Sequence, residues 1–283
     1  MRKQRLSILI VLLLFLIIPE YYASASQDND NFLDIGLMLS NYNYKEIDID
    51  GTTLDSETGA LPGAELTFSH QPSNSNLFLR GSSNISTGNL TYNGANCNLD
   101  TNRCTPISFS HPNTFFNIEG DIGFFLGENK TFVLYSGIGH TYWYRGTSGG
   151  PGDYSETYTL YYFPTGIIVN IIPSKVINIS IDASLRSMFS GKVTAYFSQS
   201  YPSENDVALT LGNTTGGVIK VSMIYLFNKD FSLLITPWYE SSSNGISNLG
   251  ILTDKSTGSS YYMQEPNSNT NKYGLNLGIR VEL

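Results

Sequence analysis

The chain ends in YGLNLGIRVEL, residues 273–283, and this stretch decides the fold class. Apolar and polar residues alternate along it, as they do in a β-strand whose two faces meet different surroundings. Arg280 and Glu282 fall on the polar face, whereas the opposite face carries no charge. A soluble β-sandwich and a membrane-spanning β-barrel both contain strands of this kind. The uncharged face consists of Tyr273, Leu275, Leu277, Ile279, Val281 and Leu283.

Charge is confined to one face in earlier segments as well. An Arg or Lys that faces lipid at the bilayer midplane costs about 2–4 kcal/mol, whereas the interior of a barrel tolerates charge. The pattern therefore favours a membrane barrel over a soluble sandwich. The polar faces of these segments hold Asp34, Glu119, Asp121, Asp182 and Arg186.

The connections between the predicted strands alternate in length. Long loops follow the odd strands and short turns follow the even ones, which is the outer-membrane arrangement with both termini in the periplasm. We predict an all-β fold, a single antiparallel transmembrane β-barrel of about 10 strands. Alternation is weakest in the second, third and eighth strands, so barrels of eight or twelve strands stay open. The predicted strands cover 32–46, 62–70, 77–84, 113–126, 131–145, 156–170, 176–190, 209–227, 231–241 and 273–283, and the long loops cover 47–61, 85–112, 146–155, 191–208 and 242–272.

The N-terminus has the pattern of a secretory signal peptide. Three basic residues among the first five precede the apolar run Leu6–Ile18, and Ala23-Ser24-Ala25 fits the small-x-small cleavage rule. A spanning helix needs about 20 apolar residues, so this run is too short for one. We predict a signal peptide over 1–25 and one outer-membrane barrel domain over 26–283, with an uncleaved signal anchor as the alternative.

The composition excludes some partners. Charged residues make up only 14% of the chain, against about 25% in ordinary globular proteins. The formal net charge of −8 argues against nucleic acid, because phosphate binding needs a basic surface.

The signal peptide, the alternating strands and the final strand resemble those of small Gram-negative outer-membrane barrels of the OmpA-like and related superfamilies. The strand from Tyr273 to Leu283 is similar to the signal that the barrel-assembly machinery reads, although such signals usually end in Phe. The stretches 61–66 and 236–240 are similar to features of other proteobacterial barrels. The resemblance covers the whole mature chain. It implies the architecture and the assembly machinery as a partner, and no specific activity.

Cys97 and Cys104 lie in a polar stretch seven residues apart. In the oxidising periplasm we expect them to form a disulfide that pins a loop tip. The alternative, half of a metal site, lacks a nearby His or a second Cys pair. We predict no metal and no cofactor.

Charged residues on the inward faces form a predicted lumen network. They either line a narrow, selective pore or pair with one another and fill the lumen. An eight-stranded barrel is just filled by side chains, whereas open channels need about 16 strands, so ten strands favour the filled lumen. The network comprises Asp34, Glu65, Arg80, Glu119, Asp121, Arg145, Asp182, Arg186, Glu240, Arg280 and Glu282.

Aromatic residues cluster at predicted strand ends beside the long loops. Amphipathic rings at such positions are typical of the girdles at both membrane interfaces. We therefore expect interfacial rings at Tyr42, Tyr44, Phe115, Phe116, Phe132, Tyr142, Trp143, Tyr144, Tyr158, Phe227, Phe231, Trp238, Tyr239 and Tyr273.

The first long loop is acidic, with Asp48, Asp50, Asp55 and Glu57. It lacks the ligand spacing and the closing Glu of an EF-hand. We expect a solvated acidic loop, with divalent bridging to lipopolysaccharide as the alternative.

The histidines do not resemble a catalytic set. His70, His111 and His140 have no Asp or Glu within two residues, and a nucleophile without a positioned base is inert at its normal pKa. We predict no enzymatic activity and no catalytic residue. An outer-membrane lipid or peptide hydrolase remains an alternative.

We predict an integral protein of the cell outer membrane with an envelope-structural or surface-interaction role through its long extracellular loops. A narrow channel or transporter for small solutes is the other alternative. The expected partners are outer-membrane lipids and lipopolysaccharide, the barrel-assembly machinery, and an extracellular ligand or host surface.

Overall fold

The computed structural model describes residues 31–98, 103–127, 130–149, 153–173, 176–228 and 230–283. The predicted signal peptide lies outside them. No helix in these ranges is long and apolar enough to cross a membrane. A short 3₁₀ turn covers Phe197–Gln199. The described strands are β1 Phe32–Ile47, β2 Thr53–His70, β3 Leu77–Asn98, β4 Arg103–Leu126, β5 Phe132–Arg145, β6 Glu156–Pro173, β7 Ile177–Ala195, β8 Val207–Thr210, β9 Thr214–Leu226, β10 Phe231–Asn244, β11 Gly250–Asp254, β12 Ser259–Met263 and β13 Asn267–Glu282.

Ten of these strands close into an antiparallel barrel. Strands β1 to β7, β9, β10 and β13 each pair with their neighbours along the chain. The last strand closes the ring against the first, in a register that runs from Phe32–Glu282 to Ile47–Asn267. The predicted fold class and the count of ten strands are confirmed. Short β8 pairs with the end of β7, and β11 and β12 form a separate hairpin.

The outer surface carries an apolar band because the apolar residues of each strand share one face. Leu37 is 74% exposed, whereas Asp34 on the inward face is only 9% exposed. On β1 the band ends at Leu39, and the next outward positions are Asn41, Asn43 and Lys45. We call the end of the barrel beyond Leu39 the loop end, and the end that holds Phe32 the turn end.

The predicted loops 47–61 and 85–112 are wrong over most of their length. Strand β2 already begins at Thr53, and β3 and β4 pair as one long hairpin from Leu77–Phe124 to Asn98–Arg103. These extensions rise above the apolar band, so their outward faces meet water, while their inward faces bury polar residues such as Glu57 and His111. Their sequence therefore lacks hydrophobic alternation. The predicted eighth strand, 209–227, is also wrong at its start, because residues 211–213 separate β8 from β9.

The expected aromatic girdle is correct for some rings and wrong for others. Tyr239 and Tyr273 point outward beside the upper edge of the band. Tyr42 and Tyr44 instead share the inward face with Asp34, because residues of equal parity lie on one side of a strand. A second group of predicted girdle rings is also buried inside the barrel, namely Phe115, Trp143 and Tyr158.

Candidate functional site

The lumen near the turn end is crossed by ion pairs. Arg80 on β3 donates from Nε to Asp121 at 2.8 Å and from Nη1 to Asp182 at 2.6 Å. The Tyr135 hydroxyl donates to the other oxygen of Asp182 at 2.5 Å. The Arg80–Asp182 contact joins β3 to β7, which are not adjacent in the barrel wall. This cluster therefore ties opposite sides of the barrel together.

A second cluster lies nearer the loop end. Arg186 contacts Glu119 at 3.0 Å and Glu240 at 2.8 Å. Lys272 lies 3.3 Å from the same Glu240 carboxylate, and the Tyr162 hydroxyl donates to Glu119 at 3.0 Å. Two cations and two carboxylates thus neutralise each other inside the barrel.

The remaining predicted lumen residues lie in or beside these layers. Arg280 forms a two-point pair with Asp34 across β13 and β1, at 2.7 and 2.8 Å. Glu65 is 3.5 Å from Lys220, a lysine with no clear strand face in the sequence. Glu282 lies on the inward face at the turn end.

A layer of aromatic rings fills the lumen above the ion pairs. The Trp143 ring stacks between Phe115 and Tyr158, with ring centroids 5.2 and 4.4 Å away. Tyr42 lies 4.9 Å from Phe115, and Tyr44 lies 5.3 Å from Trp143 in an edge contact. Tyr44 is 1% exposed. These rings form a solid floor beneath the loop end.

Arg145, the last predicted lumen residue, lies above this floor. It contacts Glu57 at 2.5 Å and Glu156 at 2.6 Å. Glu57 is fully buried, and His111 approaches it to 3.3 Å through Nε2. The expectation of a solvated acidic loop is therefore wrong for Glu57, because the loop is a strand that turns this side chain inward.

A cavity of about 560 Å³ opens above the floor, and we call it the loop-end cleft. Strands β1 to β8 contribute to its wall, together with the segment between β12 and β13. Arg145 is the one basic residue among its described lining residues. The acidic lining residues are Glu46, Asp55, Asp153, Glu156 and Glu265, and the aromatic ones are Tyr92, Phe109, Tyr154, Phe197 and Tyr201.

Two tyrosine hydroxyls link three of these acids. The Tyr158 hydroxyl lies 2.6 Å from Glu265 Oε1 and 3.2 Å from Glu156 Oε2. The Tyr44 hydroxyl lies 3.1 Å from Glu46 Oε1 and 3.4 Å from Glu265 Oε1. Glu265 therefore sits between the two hydroxyls.

Burial and mutual repulsion raise the pKa of several cleft acids. Burial, and then the charge of Glu156, raise the pKa of Glu265 to about 8. Burial also raises the pKa of Asp55 to about 6, although Arg145 opposes the shift. The pKa of Glu46 is raised well above its usual value by burial and by Glu265. All three groups lie beyond the apolar band, so water and protons reach the cleft from the loop end.

The sequence did not identify this cleft. Glu46 ended a predicted strand and Asp55 lay inside the predicted loop 47–61, and Glu265 lies 107 residues from its partner Tyr158. Only closure of the barrel brings them together. The acidity of residues 48–57 was the one signal in the sequence that pointed toward this region.

None of the three histidines is among the lining residues of the cleft. His70 is at the turn end, where its ring stacks on Phe68 and its Nδ1 contacts Asn31 at 2.8 Å. His140 is in the wall of β5 and stacks on Tyr161. His111 is 1% exposed and lies beneath Glu57.

Cys97 lies directly opposite Cys104 in the β3–β4 register. The side chain of Cys97 is outside the described part of the structure, so the disulfide stays a prediction. The predicted assembly strand, Tyr273–Leu283, lies within and just after β13, between β1 and β10. Its recognition by the assembly machinery also stays a prediction.

Comparison with known proteins identifies the type of barrel. No family model matches the chain, and no curated protein matches it in sequence. The outer-membrane protease OmpT of Escherichia coli superposes with a TM-score of 0.57 at 11% identity, over 93% of this chain and 99% of OmpT. Neisserial surface protein A superposes with a TM-score of 0.36 at 8% identity, over 89% of this chain and 97% of that protein. Ail, the attachment invasion locus protein of Yersinia pestis, superposes with a TM-score of 0.32 at 12% identity, over 88% of this chain and 98% of Ail.

At these identities the likeness to OmpT concerns the fold alone. The closed ring of ten antiparallel strands and the exposed apolar band agree with it. The chain is therefore a ten-stranded β-barrel of the Gram-negative outer-membrane type.

Proposed function

We propose that this protein is a non-conducting, non-enzymatic surface receptor whose loop-end cleft binds the basic side chains of a peptide. The observation that carries the proposal is the imbalance of charge in the cleft. Five acidic residues and one arginine line it, and that arginine already contacts Glu57 and Glu156. Without Glu46 and Glu265, whose pKa is raised, three acidic lining residues still outnumber the arginine.

The lining chemistry favours a Lys or Arg side chain over a small inorganic cation. Carboxylates pair with the ammonium or guanidinium group, while aromatic rings pack against its aliphatic stem and attract its charge. Tyr92, Phe109, Tyr154 and Phe197 supply such rings on the cleft wall. A volume of about 560 Å³ holds a few side chains of a peptide.

Ion pairs and aromatic rings across the lumen support a non-conducting barrel, in which a cavity of about 170 Å³ remains among the ion pairs. Paired charges occupy the part inside the apolar band, and the aromatic floor around Trp143 covers them. A planar bilayer with the refolded protein is therefore expected to show no conductance steps. Regular single-channel steps would favour the narrow transporter instead.

The positions of the histidines support a non-enzymatic role. His111 is buried beneath Glu57, and His70 and His140 lie outside the cleft. Hydrolysis needs a positioned base beside a nucleophile or a water molecule. Lipid, lipid A and peptide substrates are expected to remain intact with the refolded protein. Turnover that is lost on mutation of His140 or His70 would favour the hydrolase.

The test is calorimetric titration of the refolded protein with a short peptide that contains two arginines. A peptide with citrulline in their place is the matched control, because it keeps the shape and removes the charge. We expect binding of the arginine peptide alone, weakened by added salt.

Two variants locate the binding site. Asp55→Asn removes a cleft charge and is expected to weaken binding about fivefold to tenfold, or about 1 kcal/mol. Asp48→Asn removes an exposed charge outside the cleft and is expected to leave binding unchanged. Equal affinity for both peptides, or equal loss in both variants, would contradict the proposal.

The other proposed partners follow from the fold. Outer-membrane lipids and lipopolysaccharide would contact the apolar band and its upper rim. The barrel-assembly machinery would engage β13 before the barrel closes against β1.

A further inference from the structure

The segment Gln264–Pro266 connects the β11–β12 hairpin to β13 and lies on the wall of the loop-end cleft. Its backbone is tied to Ser247. The Ser247 N–H donates to the Glu265 carbonyl at 3.0 Å, and the Glu265 N–H donates to Ser247 Oγ at 2.8 Å. Gln264 Nε2 donates to the Ser247 carbonyl at 2.7 Å. The two ends of the excursion between β10 and β13 are thus joined at this point.

The Glu265 side chain fastens this junction to the barrel wall. Its Oε1 faces the hydroxyls of Tyr158 on β6 and Tyr44 on β1. Each hydroxyl also faces another carboxyl group, on Glu156 and Glu46 respectively. A tyrosine hydroxyl has one hydrogen to donate, so two hydroxyls cannot donate to all four carboxyl contacts. A proton on one of the carboxyl groups supplies a further donor.

We propose that Glu265 is a pH-dependent clasp: when protonated it holds the Gln264–Pro266 segment against the barrel wall, and when ionised it lets that segment loosen. Three carboxylates so close together repel one another once the shared proton is lost. The segment forms part of the cleft wall, so release widens the cleft. The widening of the cleft matters only for the proposed function, and the movement of the segment does not depend on that function.

The surroundings of Glu265 determine the direction of the pH effect. Burial raises the pKa of Glu265 to about 8, with Glu156 and Asp55 adding to the shift and with the Tyr158 hydroxyl and Arg145 opposing it. A carboxyl group whose pKa is raised in the closed state stabilises that state fully below its ordinary pKa of about 4.3. This stabilisation is lost as the pH rises through the closed-state value. The charged and titratable groups that act on the Glu46–Glu265 pair are Tyr44 and Glu46 on β1, Asp55 on β2, Arg145 on β5, and Glu156 and Tyr158 on β6.

Hydrogen exchange of the full-length, refolded protein tests the clasp without any ligand. The amides of Ser247 and Glu265 report on it, because each donates to the other residue. After correction for the intrinsic pH dependence of exchange, we expect the opening constant at both amides to rise at least tenfold between pH 5 and pH 8.5.

Variants assign the effect to one group. Glu265→Gln resembles the protonated acid and is expected to keep both amides protected at either pH. Glu204→Gln changes a half-buried glutamate on the neighbouring excursion, away from Glu265, and is expected to behave as the wild type does. Tyr158→Phe keeps the ring and removes the hydroxyl, so it is expected to raise the opening constant at pH 5.

The same opening constant at both pH values in the wild type would overturn the clasp. A tenfold pH effect that persists in Glu265→Gln would overturn it as well, because another group would then be titrating. If Glu265→Gln does not fold, unchanged protection in Tyr158→Phe at pH 5 would overturn it. Failure of the arginine peptide to bind would contradict the proposed function alone.

Discussion

Each arginine in the lumen inside the apolar band is paired with carboxylates, whereas acidic residues outnumber the arginine of the loop-end cleft. In the band, Arg80, Arg186 and Arg280 each lie within 3.0 Å of a carboxylate on another strand. In the cleft, five acidic residues and a single arginine are among the lining residues. Paired charges hold the barrel together, because a buried charge persists only when it is compensated. An excess of one charge instead leaves the cleft able to attract an opposite charge from solution.

The largest expected effect comes from breaking a pair inside the band. Arg80→Met leaves Asp121 and Asp182 buried without their cation. Loss of one partner of a buried pair costs about 3–5 kcal/mol. Denaturant unfolding in detergent micelles, followed by tryptophan fluorescence, measures the change in the free energy of unfolding.

Lys45→Met is the control for that experiment. It makes the same kind of change at an exposed residue above the band. We expect its free energy of unfolding to stay within about 0.5 kcal/mol of the wild type. A loss below 1 kcal/mol in Arg80→Met would show that the lumen pairs do not stabilise the barrel.

The boundary between the two regions can be tested on the outer surface. Leu37→Arg places a charge in the apolar band and is expected to cost about 2–4 kcal/mol of unfolding free energy. Thr58→Arg places the same charge on β2 opposite Asn43, beyond the end of the band at Leu39. In Thr58→Arg we expect a loss of less than about 0.5 kcal/mol in unfolding free energy, because the side chain reaches water. Equal losses of unfolding free energy in the two variants would show that the apolar band does not end at Leu39.

Asp55 in the loop-end cleft is expected to make the free energy of unfolding depend on pH. Burial raises the pKa of Asp55 to about 6, so its neutral form stabilises the fold below about pH 4. That contribution is lost as the pH rises through 6. We expect Asp55→Asn to remove a decline on the order of 1–2 kcal/mol in unfolding free energy between pH 4 and pH 7. An identical decline in the variant would assign it to other groups.

The smallest expected effect is at the tip of the β3–β4 hairpin. Cys97→Ser opens a disulfide loop of only about eight residues, so we expect it to lower the free energy of unfolding by about 1 kcal/mol or less, below the typical 2–4 kcal/mol for a disulfide. In the unfolded, unreduced wild type we expect no thiol to react with maleimide, whereas Cys104 reacts in the variant. Labelling of both cysteines in the unreduced wild type would contradict the disulfide.

The strands and inward charges that the sequence predicted correctly lie at the level of the apolar band. Leu33 to Leu39 and Leu275 to Leu283 face lipid on one side and the lumen on the other, so their alternation marked the strands and their inward charges. Beyond Leu39 the outward face of a strand meets water, and its inward face includes buried polar residues such as Glu57. The alternation that would have shown β2 beginning at Thr53 is therefore absent.

The cleft depended on contacts that no local pattern encodes. Glu57 reaches Arg145 from β2 to β5, and Glu265 reaches Tyr158 from the last connection to β6. Parity along β1 does place Tyr42 and Tyr44 with Asp34 on the inward face, so the aromatic floor was available from the same alternation that located the lumen charges.

The lumen pairs, the cleft and the clasp all require a folded barrel in the outer membrane. Cell fractionation followed by gel electrophoresis of heated and unheated samples tests for that barrel most directly. We expect the protein in the outer-membrane fraction, at one position before boiling and at another after it, because the closed barrel resists detergent until it is heated. A band in the soluble periplasmic fraction that does not shift on boiling would contradict the account.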